Sequence, residues 1–190
     1  MIGNLTKKKA NRVCGIDAST NSLAWAIFED GKPVDCGEVF FDGATVFERL
    51  KDAKAKTKDL VASGVLKADY IAIEAAVRVN SLQTYADLAY VYGVIIGELM
   101  AFNPEVHKVY PIQWQTAIGN PNLKKDEKEQ IKHDFPGKSD NWYKNKGREI
   151  RKQRTLDIAH SHFPSFGDSN NIGDAVGLAL YIGQSLTRTS

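Results

Sequence analysis

The sequence predicts an α/β domain built on a mixed five-stranded sheet with helices on both faces. Three observations carry this. Three strand-like stretches follow one another through tight turns near the start, which makes an antiparallel meander. Beyond them, short apolar runs alternate with helix-length amphipathic segments, the signature of βα units. Finally, three acids (Asp17, Glu74 and Asp174) stand at the ends of apolar elements, a costly position unless each finds a partner or a cation.

The elements are justified in order. Val13-Cys14-Gly15-Ile16 reads as a buried strand ending at Asp17, and Leu23 to Phe28 as a second. Asp30-Gly31 is a hairpin signal that returns the chain into a third strand, Val34 to Phe41. From Thr45 to about Ser63 the spacing of Val46, Leu50, Leu60 and Val61 predicts an amphipathic helix stopped at Gly64, with Lys51, Lys54, Lys56 and Lys58 on its solvated face. Tyr70 to Glu74 is strand four, short and apolar like a central strand. Asn80 or Ser81 caps a helix running to about Ala101, apolar almost all round and so expected to be largely buried. Val106 to Tyr110 is strand five, ended by Pro111, and a helix begins near Trp114. The segment from Lys124 to Gly147 is poor in apolar residues and reads in part as an exposed loop, after which a helix resumes and ends near Phe163-Pro164. The last helix spans about Ile172 to Leu186.

The chain has 190 residues, 43% of them hydrophobic, enough for one sizeable core, and no stretch that would serve as a long linker. The expected organisation is a flexible basic leader over 1–12 and a single domain over 13–190. Cys14 and Cys36 lack the spacing of a zinc site or a disulfide framework, which suits a reducing interior. The leader has no apolar core of a signal peptide, and no apolar run approaches membrane-spanning length, so a cytoplasmic protein without membrane contact is expected. A net charge of +2 does not by itself indicate nucleic acid.

Each acid has an ordinary reading. Asp17 in Asp-x-Ser can be a turn residue, and Asp174 can be a helix N-terminal acid favoured by the dipole. Glu74 after Ile-Ala-Ile has little turn role. If the first and fourth strands are parallel neighbours, Asp17 and Glu74 meet, and a helix carrying Asp174 can pack beside them. Three convergent carboxylates repel unless a hard divalent ion such as Mg²⁺ or Mn²⁺ joins them.

Gly15-Ile16-Asp17, Ile73-Glu74 and Asp174-Ala175 before an apolar helix resemble the active-site motifs of RuvC-type Holliday-junction resolvases, within the RNase H-like superfamily. Between them, Asn80-Ser81 with Ala89 to Val94 resembles the family's central helix with its glycine, and Pro111 to Gly119 resembles the segment ending in glycine before a basic turn. The resemblance spans about Val13 to Leu186 and implies an RNase H-like fold. It also implies Asp17, Glu74 and Asp174 as catalytic metal ligands, Mg²⁺ as cofactor with Mn²⁺ able to substitute, and symmetric nicking of four-way DNA junctions. A homodimer follows from that activity, and the helix Asn80–Ala101 is its expected interface.

The sequence departs from the family in three places. The family's fourth acidic position falls on Asn171, which offers a carbonyl oxygen but no charge; Asp168, one turn earlier, could substitute, three acids could suffice, or Asn171 is a change that traps an inactive form. The lysine expected before Gly119 is replaced by Trp114-Gln115, leaving Lys124 or Lys125 to neutralise the scissile phosphate, or to be merely solvated. Val77-Arg78 stand where the family carries a stacking aromatic, so a wedge would have to come from Trp142 or Tyr143.

From Lys124 to Arg154, eleven Lys/Arg face six Asp/Glu. Basic groups there track phosphates and aromatics can stack on exposed bases. The DNA-contact set is therefore Arg78, Lys124, Lys125, Trp142, Tyr143, Lys144, Lys146, Arg148 and Arg151, against the simpler reading of a solvated loop with Trp142 folded onto the core. A nuclease acting on flaps, other branched DNA or RNA–DNA hybrids, and a non-catalytic branched-DNA-binding module, remain the alternatives.

Overall fold

The structure is a computed structural model that describes residues 11–75 and 81–188. The elements are β1 (Arg12–Ala18), β2 (Ser22–Glu29), β3 (Lys32–Phe40), α1 (Val46–Ala62), β4 (Tyr70–Glu74), α2 (Leu82–Leu99), a 3₁₀ turn (Met100–Phe102), β5 (Glu105–Val109), α3 (Pro111–Ala117), α4 (Lys125–Asp134), α5 (Asp140–His162) and α6 (Asn170–Arg188). The five strands form one mixed sheet in the order β3-β2-β1-β4-β5. The meander is antiparallel, whereas β4 and β5 join parallel to β1. This is the architecture the sequence predicts.

The hairpin turn lies where expected, with Asp30 at φ 49° and Gly31 at φ 77°, the left-handed pair that a two-residue turn of this hand needs. Arg12, assigned to the leader, instead opens β1 and sets its guanidinium 3.2 Å from Glu29. Thr45 caps α1 in a full capping box with Glu48. Lys56 is bonded rather than simply solvated: its Nζ lies 2.8 Å from Asp42 and 2.7 Å from Asp52.

Strand alternation sends side chains to two cores. Cys14, Ile16, Leu23, Trp25, Ile27, Ile71 and Ile73 pack with α1 and α2 on one face. Val13, Ala24, Ala26, Phe28 and Ala72 pack with α6, Trp114 of α3 and Ala159 of α5 on the other. Gly15 and Asp17 share parity with Val13, and Glu74 with Ala72, so both acids point to the α6 face.

Three expectations are corrected. The helix after Ser81 is not largely buried: only Val91, Ile95 and Leu99 are, a single i, i+4, i+8 stripe, because one sheet can cover one side of a helix. Leu82, Tyr85 and Tyr90 are exposed, and Phe47 of α1 lies against the Tyr90 ring. Residues Leu82–Phe102 are also long and apolar enough, by length and composition, to cross a membrane. That was missed because Asp87 and Glu98 interrupt the run.

The segment expected to be partly loop is two helices. Ser139 caps α5, its Oγ accepting from the Trp142 amide at 3.2 Å, and Glu127 accepts from the Lys124 amide at 2.7 Å at the start of α4. Apolar residues are few there, yet Leu123 and Ile131 are buried, Leu123 against Gly147 of α5, and further along α5 Ala159 joins the α6 core. The turn between the helices is tied by Tyr143, whose hydroxyl donates to the Phe135 carbonyl at 2.7 Å, and by Trp142 against the Phe135 ring.

Candidate active site

The register of the sheet builds the site. Ile16 pairs with Ile73 in the parallel β1–β4 ladder, so one residue further on Asp17 and Glu74 stand side by side on the α6 face. The turn reading of Asp17 does not hold, because Ser19 does that work: its Oγ accepts from the amides of Asn21 at 3.1 Å and Ser22 at 3.0 Å.

Asp174 arrives from above on α6, and glycine sets how closely. A Cβ on Gly15 would lie 2.0 Å from the Ala175 carbonyl oxygen and 2.5 Å from the Ala179 nitrogen, so only glycine lets the α6 backbone approach β1 here. Gly177 does the same for Trp114, whose ring occupies the space a Cβ would take. Trp114 is fully buried and donates through Nε1 to Glu74 Oε2 at 3.2 Å. The residue standing in place of the expected lysine therefore orients an acid of the site. Its neighbour Gln115 accepts from the Arg151 guanidinium.

The electrostatics show that the acids face one another. Burial pushes Asp17 up to about 7, aided by the charges of Asp174 and Glu38 and eased by Lys152. Glu74 is raised to about 7 by burial and by Asp17, with the Trp114 hydrogen bond opposing. Asp174 reaches about 7 through burial and Glu74, eased by Lys152 and Arg151. The Tyr92 hydroxyl is pushed well up by burial and by the charges of Asp17 and Glu74. Three carboxylates held this way conflict with one another, and the cationic groups beside them relieve the conflict only in part. Among the described residues, no three His, Cys, Asp or Glu side chains are gathered tightly enough to enclose an ion as they stand. The chemistry of the donor set is nonetheless all oxygen, anionic and partly shielded from water, which fits a hard divalent cation such as Mg²⁺.

Two residues of this neighbourhood were missed in the sequence. Lys152 on α5 is the lysine whose charge acts on both Asp17 and Asp174. Glu38 on β3 pairs in register with Ala24, which pairs with Asp17, so Glu38, Ala24, Asp17 and Glu74 form one row across the sheet. Lys152 was legible only as part of a charge cluster. Glu38 required a strand register that the sequence does not display.

The remaining assigned residues are distributed as follows. Asn171 lies three residues before Asp174 on α6, bonded through its amide to Glu38 and Ser22. Asp168 does not take its place: it is exposed, 3.9 Å from His160. Lys124 and Lys125 are exposed at the start of α4, where Lys125 Nζ lies 3.7 Å from Glu129. Tyr143, Lys144, Arg148 and Arg151, with Lys128 and Lys132, line a cavity of about 520 Å³ between α4 and α5. Lys146 pairs with Glu149 at 3.0 Å. The arm is anchored by the buried Asn120, which donates through Nδ2 to the Arg151 carbonyl at 2.8 Å and to Thr155 Oγ1 at 2.9 Å. Arg151 Nε is buried without a hydrogen-bond partner. Arg78 lies outside the described residues.

An RNase H-like sheet carrying acids at the ends of β1 and β4 and on the helix above them defines the class of fold. Among solved structures the chain is similar to Thermus thermophilus RuvC. The complex with a Holliday junction substrate superposes with a TM-score of 0.65 at 13% identity, covering 94% of this chain and 97% of that one. A second Thermus thermophilus RuvC structure gives 0.62 at 14% identity with the same coverage. The chain therefore has the RuvC type of RNase H-like fold. No protein-family model and no curated protein sequence matches it.

Proposed function

We propose that this protein is a metal-dependent endodeoxyribonuclease that resolves four-way (Holliday) DNA junctions by paired symmetric nicks. The observation that carries the reading is the strand register that sets Asp17 beside Glu74 on the face where α6, carrying Asp174, packs against Gly15. The basic α4–α5 arm beside them, and the fold shared with a RuvC bound to a Holliday junction, support a branched DNA substrate.

Asp17, Glu74 and Asp174 would hold Mg²⁺, with Mn²⁺ able to substitute. When bound, the cation supplies Lewis-acid stabilisation for in-line attack of water on the phosphodiester. Trp114 keeps the Glu74 carboxylate in place, and Lys152 and Arg151 offset part of the negative charge before a cation arrives. Lys144, Arg148 and Arg151, with Lys124, Lys125 and Lys146 at the margins, would track phosphates. Trp142 and Tyr143 already brace the turn at Phe135, so stacking on a base would draw on the same rings. Two strands require two sites, and the exposed apolar side of α2, with Leu82, Tyr85 and Tyr90, is the surface on which a homodimer would form. Such an enzyme would work in the cytoplasm of a bacterium or phage-infected host.

The test is cleavage of a synthetic four-way junction in Mg²⁺ or Mn²⁺. Paired nicks placed symmetrically are expected, and Glu74→Gln should lower the rate by about 10³-fold, the loss of several kcal/mol of transition-state stabilisation. Binding without cleavage by the unaltered protein overturns the enzyme reading. Normal cutting by Glu74→Gln overturns the metal assignment.

A further inference from the structure

Glu38 is bonded in an unusual way for a residue on the strand at the edge of the sheet. Its Oε2 accepts from Ser169 Oγ at 2.7 Å, and its Oε1 accepts from Asn171 Nδ2 at 2.5 Å. Ser169 in turn caps α6, accepting from the Ile172 amide at 3.4 Å. Both oxygens of one β3 carboxylate are thus committed to the first turn of the helix that carries Asp174.

The chemistry fixes the Asn171 amide. An ionised carboxylate only accepts, so the NH₂ group must face Glu38. The same Nδ2 also donates to the buried Ser22 Oγ at 3.3 Å. With both amide hydrogens directed at acceptors, Oδ1 is the atom left for another partner. Asn171 and Asp174 are three residues apart on α6 and so share a side of the helix. Glu38 also lies in the same cross-strand row as Asp17 and Glu74, separated from Asp17 only by the small Ala24, and its charge is felt at Asp17.

We propose that Glu38 is a positioning residue of the acidic site: it holds Asn171 with the carbonyl Oδ1 presented as an uncharged oxygen ligand, and supplies from β3 the negative charge that Asn171 lacks. Glu38 and Asn171 then act as a split pair, one giving the charge and the other the ligand oxygen. This rests on the reading of the site as a divalent-cation site.

The pair makes a charge-swap prediction. A carboxylate at position 171 would face Glu38, so Asn171→Asp should not improve cation binding and should lower the melting temperature in EDTA. Glu38→Gln keeps an acceptor for Asn171 but removes the charge, and should weaken binding about tenfold, as loss of an outer-shell partner does. The double variant Glu38→Gln/Asn171→Asp moves the charge from one side to the other and should return to within about threefold of the unaltered protein. Titration calorimetry of Mn²⁺ into the metal-free full chain, without DNA, reads all four proteins, with melting curves in EDTA alongside.

Mn²⁺ affinity unchanged in Glu38→Gln overturns the inference while leaving the cation site standing. So does tighter binding by Asn171→Asp at an unchanged melting temperature, an arm that decides the matter even if Glu38→Gln does not fold. No uptake of Mn²⁺ by the unaltered protein overturns both this inference and the metal reading beneath it.

Discussion

On the face covered by α1 and α2, the central strands present Ile16, Leu23, Trp25, Ile27, Ile71 and Ile73; on the face covered by α6, the same strands present Gly15, Ala24, Ala26 and Ala72. The first face is filled by large side chains that hold their helices at ordinary packing distance. The second carries Val13 and Phe28 toward one end but only small residues around Gly15, where α6 descends until its backbone meets the strand. Acids can be brought together only on this second face, because carboxylate side chains are short and the elements that carry them must come close.

That difference can be broken at its narrowest point. Gly15→Ala forces a Cβ into the α6 backbone and should cost about 3 kcal/mol, a fall of roughly 6–12 °C in Tm. Ile73→Val on the other face should cost about 1 kcal/mol. Thermal melting of both variants decides it, and equal losses would show that the two faces are packed alike.

The next effect is a pH dependence peculiar to the α6 face. Asp17, Glu74 and Asp174 titrate near 7 in the folded chain, above the ordinary carboxylate range near 4. Between those limits the folded state binds more protons than the unfolded, so stability should fall as pH rises through about 4 to 7 in EDTA. If the proposed site holds Mg²⁺, millimolar Mg²⁺ should oppose the fall at pH 8, because a cation that binds only the ionised acids of the folded state stabilises that state. Melting curves at pH 5 and 8 check this, and a metal-free protein that is more stable at pH 8 contradicts the arrangement of the acids.

The smallest effect on stability belongs to the outer side of α2. Tyr90→Lys should change unfolding free energy by less than about 0.5 kcal/mol, since the residue is exposed. It should still shift the sedimentation profile from dimer to monomer if this surface joins two copies. An unaltered protein that sediments as a monomer at micromolar concentration removes the interface.

Much of this was legible in the chain. Strand periods, the Asp30-Gly31 turn, the cap before α2 and the three acids are local features, and local chemistry determined them. Less legible were the elements whose character depends on what covers them. The apolar content of α2 does not say that only one stripe meets the sheet. The polar residues from Lys124 to Gly147 do not say that α4 seats on α5 with little more than Leu123 and Ile131 buried between them.

The sequence by itself determined which residues would be strands, which would turn, and that Asp17 and Glu74 close two apolar strands. Only the tertiary structure decided what stands beside them. Between Ile27 and Phe28 the β2–β3 register shifts by one residue: Phe28 pairs with Pro33, but Ile27 pairs with Asp35. Without that bulge Gly37 would oppose Ala24, and Glu38 would point to the α1–α2 face. With it, Glu38 joins the row of Asp17 and Glu74. Side chains alternate with a period of two, so one extra residue moves a whole strand end from one face to the other.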